Sequence, residues 1–325
     1  SAPDQPFLIA KDPPVHTWHR KIVSRVFTPR RIGNLEPFIR AKAAELLDPH
    51  VGTAGFDAIE DFSIRLPLEV IGELLDLPVE VRAEVHELCD VFAARPDGVT
   101  VEPEEATAAM TKLSALLTGL VTDRRAHPGD DVVSLLIETP VVDDDANERM
   151  LEDWEIGARF VELAFAGHET VAKLIPNGVV ALAWYPEQRA QLVADPTLLT
   201  NAVEEMLRWD PPSQYQGRWT TRDVELHGAT IPADRRVVLI TGAATHDERK
   251  FEEPELFDIH RHIERHVSLG FGNHLCLGAS LARLETRLAF EELLARFPEY
   301  DIAETGVTRA YSSNVRGLAN LPIVV

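Results

Sequence analysis

A mainly α fold with small β-sheets is what this 325-residue sequence predicts, on three observations. From Pro29 to about Val203 apolar residues recur at helical spacing, and Pro, Gly or Asp punctuates them roughly every 10 to 20 residues. Asp153 to Tyr185 holds that spacing long enough for a helix of roughly 50 Å. After Trp209 the texture changes to short runs rich in β-branched residues.

Taken in order, the long segment carries Glu155, Arg159, Glu162, His168, Glu169 and Lys173, so it reads as a buried central helix and not as a membrane span. Pro176 and Gly178 lie inside it and predict a kink or local break. Thr220 to Leu226 and Ala229 to Pro232 read as two strands about a His227-Gly228 turn, with a third β-rich run at Arg236 to Ile240. Asp247 to His266 is Pro-rich, charged and without period; Ser268 to Gly278 is glycine-rich. Ala279 to Arg296 reads as an amphipathic helix with a charged outer face, and the stretch to Val325 as a small hairpin. The expected organisation is one domain over 1–325, helix-rich at 12–209 and 279–297, β-rich at 213–278, with the hairpin at 300–325.

A net charge of −21 speaks against nucleic-acid binding, because a phosphate backbone rewards positive charge. The sequence contains no apolar run of about 18 residues. Ser1-Ala2-Pro3-Asp4 has neither a basic nor an apolar leader pattern, so a cytoplasmic protein is expected. Cys89 and Cys276 are the only cysteines, too far apart for a short metal-binding spacing or a disulfide framework. Cys89 reads as a buried structural residue.

Cys276 sits differently, in Leu269-Gly270-Phe271-Gly272-Asn273-His274-Leu275-Cys276-Leu277-Gly278. A dinucleotide fingerprint would need Gly where Leu275 stands, and a phosphate loop would need Gly-Lys-Ser or Gly-Lys-Thr. What remains is a thiol just before a helix, where the N-terminal dipole favours thiolate, on a loop whose glycines let backbone approach a flat ligand. The segment closely resembles the haem-ligating loop of the cytochrome P450 family, Phe-Gly-x-Gly-x-His-x-Cys-x-Gly, departing only at Leu269. The resemblance implies that Cys276 is the axial thiolate of the haem iron, that His274 bonds a propionate, and that Gly270, Phe271, Gly272 and Gly278 border the haem.

The family's other signatures follow in order. Ala166-Gly167-His168-Glu169-Thr170 resembles its oxygen-activating motif, a small pair followed by an acid and an alcohol that pass protons to dioxygen, with Ala166 against the haem. Taken alone, a mid-helix Thr170 has a bland alternative, a hydroxyl bonded back to the preceding turn, and His168 earns no ligand role. Val171 and Pro176 stand where the family often has a second hydroxyl residue and a Gly. Glu205-Met206-Leu207-Arg208 places a carboxylate and a guanidinium on one helix face, which resembles the family's buried brace, completed by Arg261. Asp12-Pro13-Pro14-Val15-His16-Thr17-Trp18-His19-Arg20 is similar to the family's propionate-binding helix start, with His16 and Arg20 one turn apart, and Arg218 matches the arginine for the other propionate.

The resemblance implies a bacterial haem b monooxygenase that spends dioxygen and two electrons to oxidise an apolar organic substrate. It has no flavin or iron–sulfur motif, so electrons from NAD(P)H are expected through a ferredoxin reductase and a ferredoxin, docked on the basic cluster His19, Arg20, Lys21, Arg25, Arg30 and Arg31. A peroxide-driven haem-thiolate enzyme and a non-catalytic haem or ligand carrier are the alternatives. By analogy the substrate pocket draws on Leu163, Ala166, Gly167, Ser213, Gln214, Tyr215, Gln216 and the stretch Ser313, Asn314, Val315. Eleven residues precede Asp12 where the family has several tens, so the resemblance covers this chain but implies a fold incomplete at its N-terminus.

Overall fold

The structure, a computed structural model, describes residues 7–95, 103–129, 131–142, 147–312 and 314–325. Its first half holds α1 (Val15–Val23), α2 (Pro29–Asn34), α3 (Glu36–Leu47), β1 (Gly55–Asp57), α4 (Arg65–Leu74), α5 (Val79–Ala93), α6 (Glu104–Ala126), α7 (Val132–Glu138), β2 (Val141–Val142) and β3 (Glu148–Arg149). Then come α8 (Asp153–Trp184), α9 (Pro186–Ala194), α10 (Leu199–Trp209), β4 (Tyr215–Trp219), β5 (Val224–Leu226), β6 (Ala229–Ile231) and β7 (Arg236–Ile240). The chain closes with α11 (Thr241–Ala244), α12 (Ala279–Arg296), β8 (Asp301–Ile302), β9 (Thr308–Arg309), β10 (Leu318–Asn320) and β11 (Pro322–Val324).

The long helix α8 is the axis on which the apolar core is built. Its first half, with Ile156, Phe160, Val161 and Ala164, packs among α5, α6 and α7. Its second half, from Val171 to Leu182, packs among α3, α10 and α12. Three glycines set how closely neighbours approach: a Cβ on Gly157 would stand 2.2 Å from Thr118 of α6, one on Gly167 2.5 Å from Ile71 of α4, and one on Gly178 2.7 Å from Phe290 of α12. A side chain at any of them would push a packed helix away.

The break expected at Pro176 does not occur, and α8 runs through it uninterrupted. Proline cannot donate to the carbonyl of Ala172 one turn earlier. The Ser63 hydroxyl, at the end of a π-helical segment that leads into α4, donates to that carbonyl at 3.1 Å instead. Both residues are buried, so Ser63→Ala should leave an acceptor without a partner and cost about 1–2 kcal/mol in denaturant unfolding. An unchanged midpoint would mean that the carbonyl finds another donor.

The β-rich region follows the sequence in part. The hairpin β5–β6 turns at His227 (φ 50°) and Gly228 (φ 79°), the paired left-handed conformations of a two-residue turn. The run Arg236–Ile240 is β7, and its partner is β4, antiparallel from Tyr215 opposite Ile240 to Trp219 opposite Arg236. The final stretch is more than a hairpin. β9 pairs with β10, while β11 pairs with β8 and also with β1 near the start of the chain, Gly55 opposite Val324. Helix α12 has the expected bounds, but its acidic face is not all outside, because Glu285 is buried and pushed well above the usual carboxylate range by that burial.

Candidate active site

The Cys276 loop is shaped by two left-handed glycines, Gly270 (φ 77°) and Gly272 (φ 65°). A Cβ on Gly270 would lie 2.9 Å from the His274 carbonyl oxygen. The turn is closed by the Cys276 N–H, which donates to the Leu269 carbonyl at 2.7 Å, and Gly278 caps α12 with its N–H toward the sulfur. The helix start does not by itself make a thiolate here. Burial pushes the Cys276 thiol up, against the opposing pull of the Gly278 N–H, Arg20 and Arg283. A cation at the sulfur would reverse that balance, since a coordinating thiol is deprotonated outright.

Cys276 opens on a cavity of about 290 Å³ walled also by Leu163, Ala166, Thr170 and Val171 of α8. Leu269, Gly270, His274, His16, Arg20, Ser213 and Gln216 line the same space. The Thr170 hydroxyl donates to the Ala166 carbonyl at 2.9 Å, the bonded-back arrangement, and the residue lines the cavity. Glu169 is not in the lining; it is buried and hydrogen-bonded to Asp90 of α5.

At the rim, basic groups converge. The His16 and His274 rings lie 4.4 Å apart, Arg20 donates to the Leu275 carbonyl, and Arg218 is close enough to act on His274. Burial lowers both imidazoles, helped at His16 by His274 and Arg20 and at His274 by Arg218. His16 Nδ1 is buried with no hydrogen-bond partner among the described residues, and Asp12 is an acid acting on both rings. An orphaned donor among cationic side chains, beside a sulfur donor at a cavity wall, fits a flat metal chelate that carries carboxylates. A larger cleft of about 600 Å³, lined by Trp184, Trp209, Arg309 and Arg316, contains none of these residues.

Behind the loop, Glu205 and Arg208 are both fully buried and pair at 2.7 and 2.8 Å, and Arg261 reaches Glu205 at 3.2 Å. A second tie was not legible in the sequence. Glu204 accepts from Arg283 of α12 and meets His266 at 3.0 Å, so its carboxyl is held down to about 2, burial being outweighed by these two partners. A second acid directly before Glu205 was the only signal for it.

Several expected residues lie elsewhere. Gly167 faces Ile71 and does not line the cavity. Gln214 lines the larger cleft, Tyr215 is exposed on β4, and Asn314 is outside the cavity lining, its carbonyl accepting from the Gln214 N–H at 3.0 Å and its amide donating to the Tyr215 carbonyl at 3.5 Å. Ser213 and Gln216 reach the cavity and the two residues between them do not, a three-residue interval set by the irregular approach to β4, which begins only at Tyr215. Ser313 lies outside the described residues. Phe271 and Gly272 border the loop without lining the cavity, Phe271 being exposed with Arg265 over its ring at 5.1 Å. In the basic cluster His19 is buried on the inner stripe of α1 with His16, Ile22 and Val23, and burial and Arg159 lower it to about 4; Lys21, Arg25 and Arg30 remain exposed. Residues the sequence did not point to include Leu8, Ile9, Arg159, Glu162 and Leu207 in the cavity wall.

Comparison with known proteins agrees with this geometry. The cytochrome P450 family profile matches residues 189–319. Putative cytochrome P450 123 of Mycobacterium tuberculosis is 39% identical over 319 residues, 98% of this chain and 78% of that one. Vitamin D(3) 25-hydroxylase of Pseudonocardia autotrophica is 39% identical over 323 residues, again 98% of this chain and 78% of that protein. Among solved structures, a mutant of P450 EryK in complex with erythromycin B superposes with a TM-score of 0.92 at 32% identity, covering 100% of this chain and 83% of that one. No helix among the described residues is long and apolar enough to cross a membrane. The chain belongs to the cytochrome P450 family and is a cytochrome P450 monooxygenase whose cofactor is haem.

Proposed function

We propose that this chain binds haem b through Cys276, takes electrons from NAD(P)H through a ferredoxin reductase and a ferredoxin, and hydroxylates or epoxidises an apolar organic substrate. The observation that carries the reading is that Cys276 and Thr170 line one cavity from two separate elements, with the His16, Arg20, His274 and Arg218 cluster at its rim. Haem, when bound, supplies the activation of dioxygen. His16, Arg20 and His274 would hold one propionate and Arg218 the other, the two guanidiniums offsetting carboxylate charge and the imidazoles donating N–H hydrogen bonds. Thr170 positions a hydroxyl over the distal face, and Glu169 one residue earlier is the acid that supplies it with protons. Leu163, Val171, Leu174 and Leu207 exclude water and favour apolar substrate, while Ser213 and Gln216 give it a polar contact.

The mostly apolar wall suits a hydrophobic organic substrate, in keeping with the erythromycin complex and the vitamin D hydroxylase among its relatives. Lys21 on α1, Arg25 in the turn that follows it and Arg30 on α2 are exposed, with α1 held to the Cys276 loop through Arg20, and they suit an acidic ferredoxin. The reduced, carbon-monoxide-bound spectrum tests haem ligation. Product formed with a ferredoxin system, against product formed with peroxide alone, tests the electron source; peroxide-only turnover would replace the ferredoxin reading.

Thr170→Ala is expected to keep the thiolate spectrum and the folded stability, because a bonded-back hydroxyl adds little to a helix. Product per electron should fall by roughly 10-fold or more, with the electrons recovered as hydrogen peroxide. Equal coupling in variant and parent would remove Thr170 from the proton path.

A further inference from the structure

Glu169 and its helix neighbour Thr170 face different ways. Thr170 lines the cavity, whereas the Glu169 carboxyl is turned toward α5, where it shares a hydrogen bond with the carboxyl of Asp90. Two carboxyls can share a hydrogen bond only if one of them carries a proton. Glu169 is 2% exposed while the Asp90 side chain is 44% exposed, so the pair spans from the buried face of α8 to solvent. The edge-on packing of Phe92 against Phe165, with ring centres 5.3 Å apart, fastens α5 to α8 beside it.

The charges around the pair favour a single proton. On α5 they are His86, whose Nε2 lies 3.5 Å from Asp90, Glu87 and the buried Cys89. On α8 they are the buried His168 and Lys173, the latter one turn beyond Glu169. His168 and His86 pack edge to face at 4.7 Å, and burial lowers both, so Lys173 is the buried cation that remains. One lysine offsets one carboxylate, and the second carboxyl stays protonated. Burial and then the Asp90 hydrogen bond push Glu169 up to about 8, against Lys173. At Asp90 the effect of burial is outweighed by Glu169, His86, Lys173 and His168, which hold it below the usual range. The proton therefore rests on Glu169 at neutral pH.

We propose that Asp90 is the outer half of a two-carboxyl proton relay, keeping Glu169 charged with a proton and replacing that proton from solvent each time Glu169 gives it up to the distal side of the cavity. The proposal rests on Glu169 and Thr170 serving that side, as argued above. The step balances simply: the Glu169 O–H bond breaks as its proton passes to the Thr170 hydroxyl, which hands its own proton into the cavity, two adjacent carboxylates result, and their repulsion draws one proton from water through the half-exposed Asp90. Asp90 touches neither substrate nor haem, and acts as a positioning residue through Glu169.

The test is an infrared titration of the protonated-carboxyl band in the ferric holoprotein, paired with the pH profile of coupled product formation. In the parent, a band that vanishes in E169Q should titrate near pH 8. In D90N an amide faces Glu169 in place of a carboxylate, the repulsion is gone, and the midpoint should fall by about 1 unit or more. The alkaline limb of coupling should move with it, so that at pH 8 the variant releases more peroxide per electron, and D90E should restore both. The carbon-monoxide spectrum and substrate affinity should stay put. A D90N midpoint equal to the parent's overturns the shared proton. A midpoint that moves while the alkaline limb does not overturns the relay alone, and full coupling in E169Q overturns the acid–alcohol reading beneath it.

Discussion

Cys276→Ser is expected to remove the red-shifted carbon-monoxide band completely and to take monooxygenase turnover to background, while leaving the fold of the haem-free chain almost unchanged. The two halves of that expectation come from different atoms. The loop is closed by backbone, through the Cys276 N–H to Leu269 and the left-handed Gly270 and Gly272, and none of this involves sulfur. The sulfur faces the cavity, and a swap of one small polar atom for another at such a place changes stability by about 0.5 kcal/mol or less. What the variant loses is the only soft donor in the cavity wall, and a serine hydroxyl does not become an anion at neutral pH. Stability gained from haem should fall with it, because a ligand stabilises in proportion to the logarithm of its concentration over its dissociation constant. Unfolding of parent and variant, with and without added haem, therefore gives two equal midpoints and two unequal ones. A variant that keeps the thiolate band would place the ligand elsewhere, and Cys89, buried and pushed up to about 12 by that burial and then by Glu169 and Asp90, offers no substitute.

How far this could be read beforehand depended on whether the physics was local. The bounds of α12 and the β5–β6 turn were legible because amphipathic period and a His-Gly turn are written in adjacent residues. The continuity of α8 through Pro176 was not, because the group that answers for the missing N–H is Ser63, more than a hundred residues earlier. The pairing of β11 with β1 was hidden for the same reason. At the site, Cys276, His274, His16 and Arg20 sit in two short motifs and all reach one cavity. Gly167, Gln214, Tyr215 and Asn314 were expected there by position along the chain, but Gly167 falls on the face of α8 that meets Ile71, and the other three sit in or beside the start of β4 without lining the cavity. Asp90 and Glu204 were invisible, since an acid on a charged helix face looks the same in sequence whether it meets water or a buried partner.

Arg208→Lys should be nearly as damaging as Arg208→Ala, and counting donors shows why. The guanidinium has five N–H groups. In the structure all five are spent: two on Glu205, two from Nη1 on the carbonyls of Thr245 and Pro254, and one from Nη2 on that of Leu256. A lysine brings three donors from one point, so at least two buried acceptors go without. Removing one partner of a buried ion pair costs about 3–5 kcal/mol, against a total stability of about 5–15 kcal/mol for a typical domain. Replacing both Glu205 and Arg208 by apolar residues, which often rescues such pairs, should fail here, because the carbonyls of the 245–256 segment and the Asp258 N–H that Glu205 accepts would still be stranded. By contrast Arg40→Ala, which breaks a half-exposed cluster with Glu36, Glu291 and Glu292, should cost about 1 kcal/mol or less. Denaturant midpoints and haem content per chain would rank the variants. If Arg208→Lys keeps parental haem content, the segment leading to Cys276 does not depend on this hub, and the Glu204–His266–Arg283 tie is what holds the loop in place.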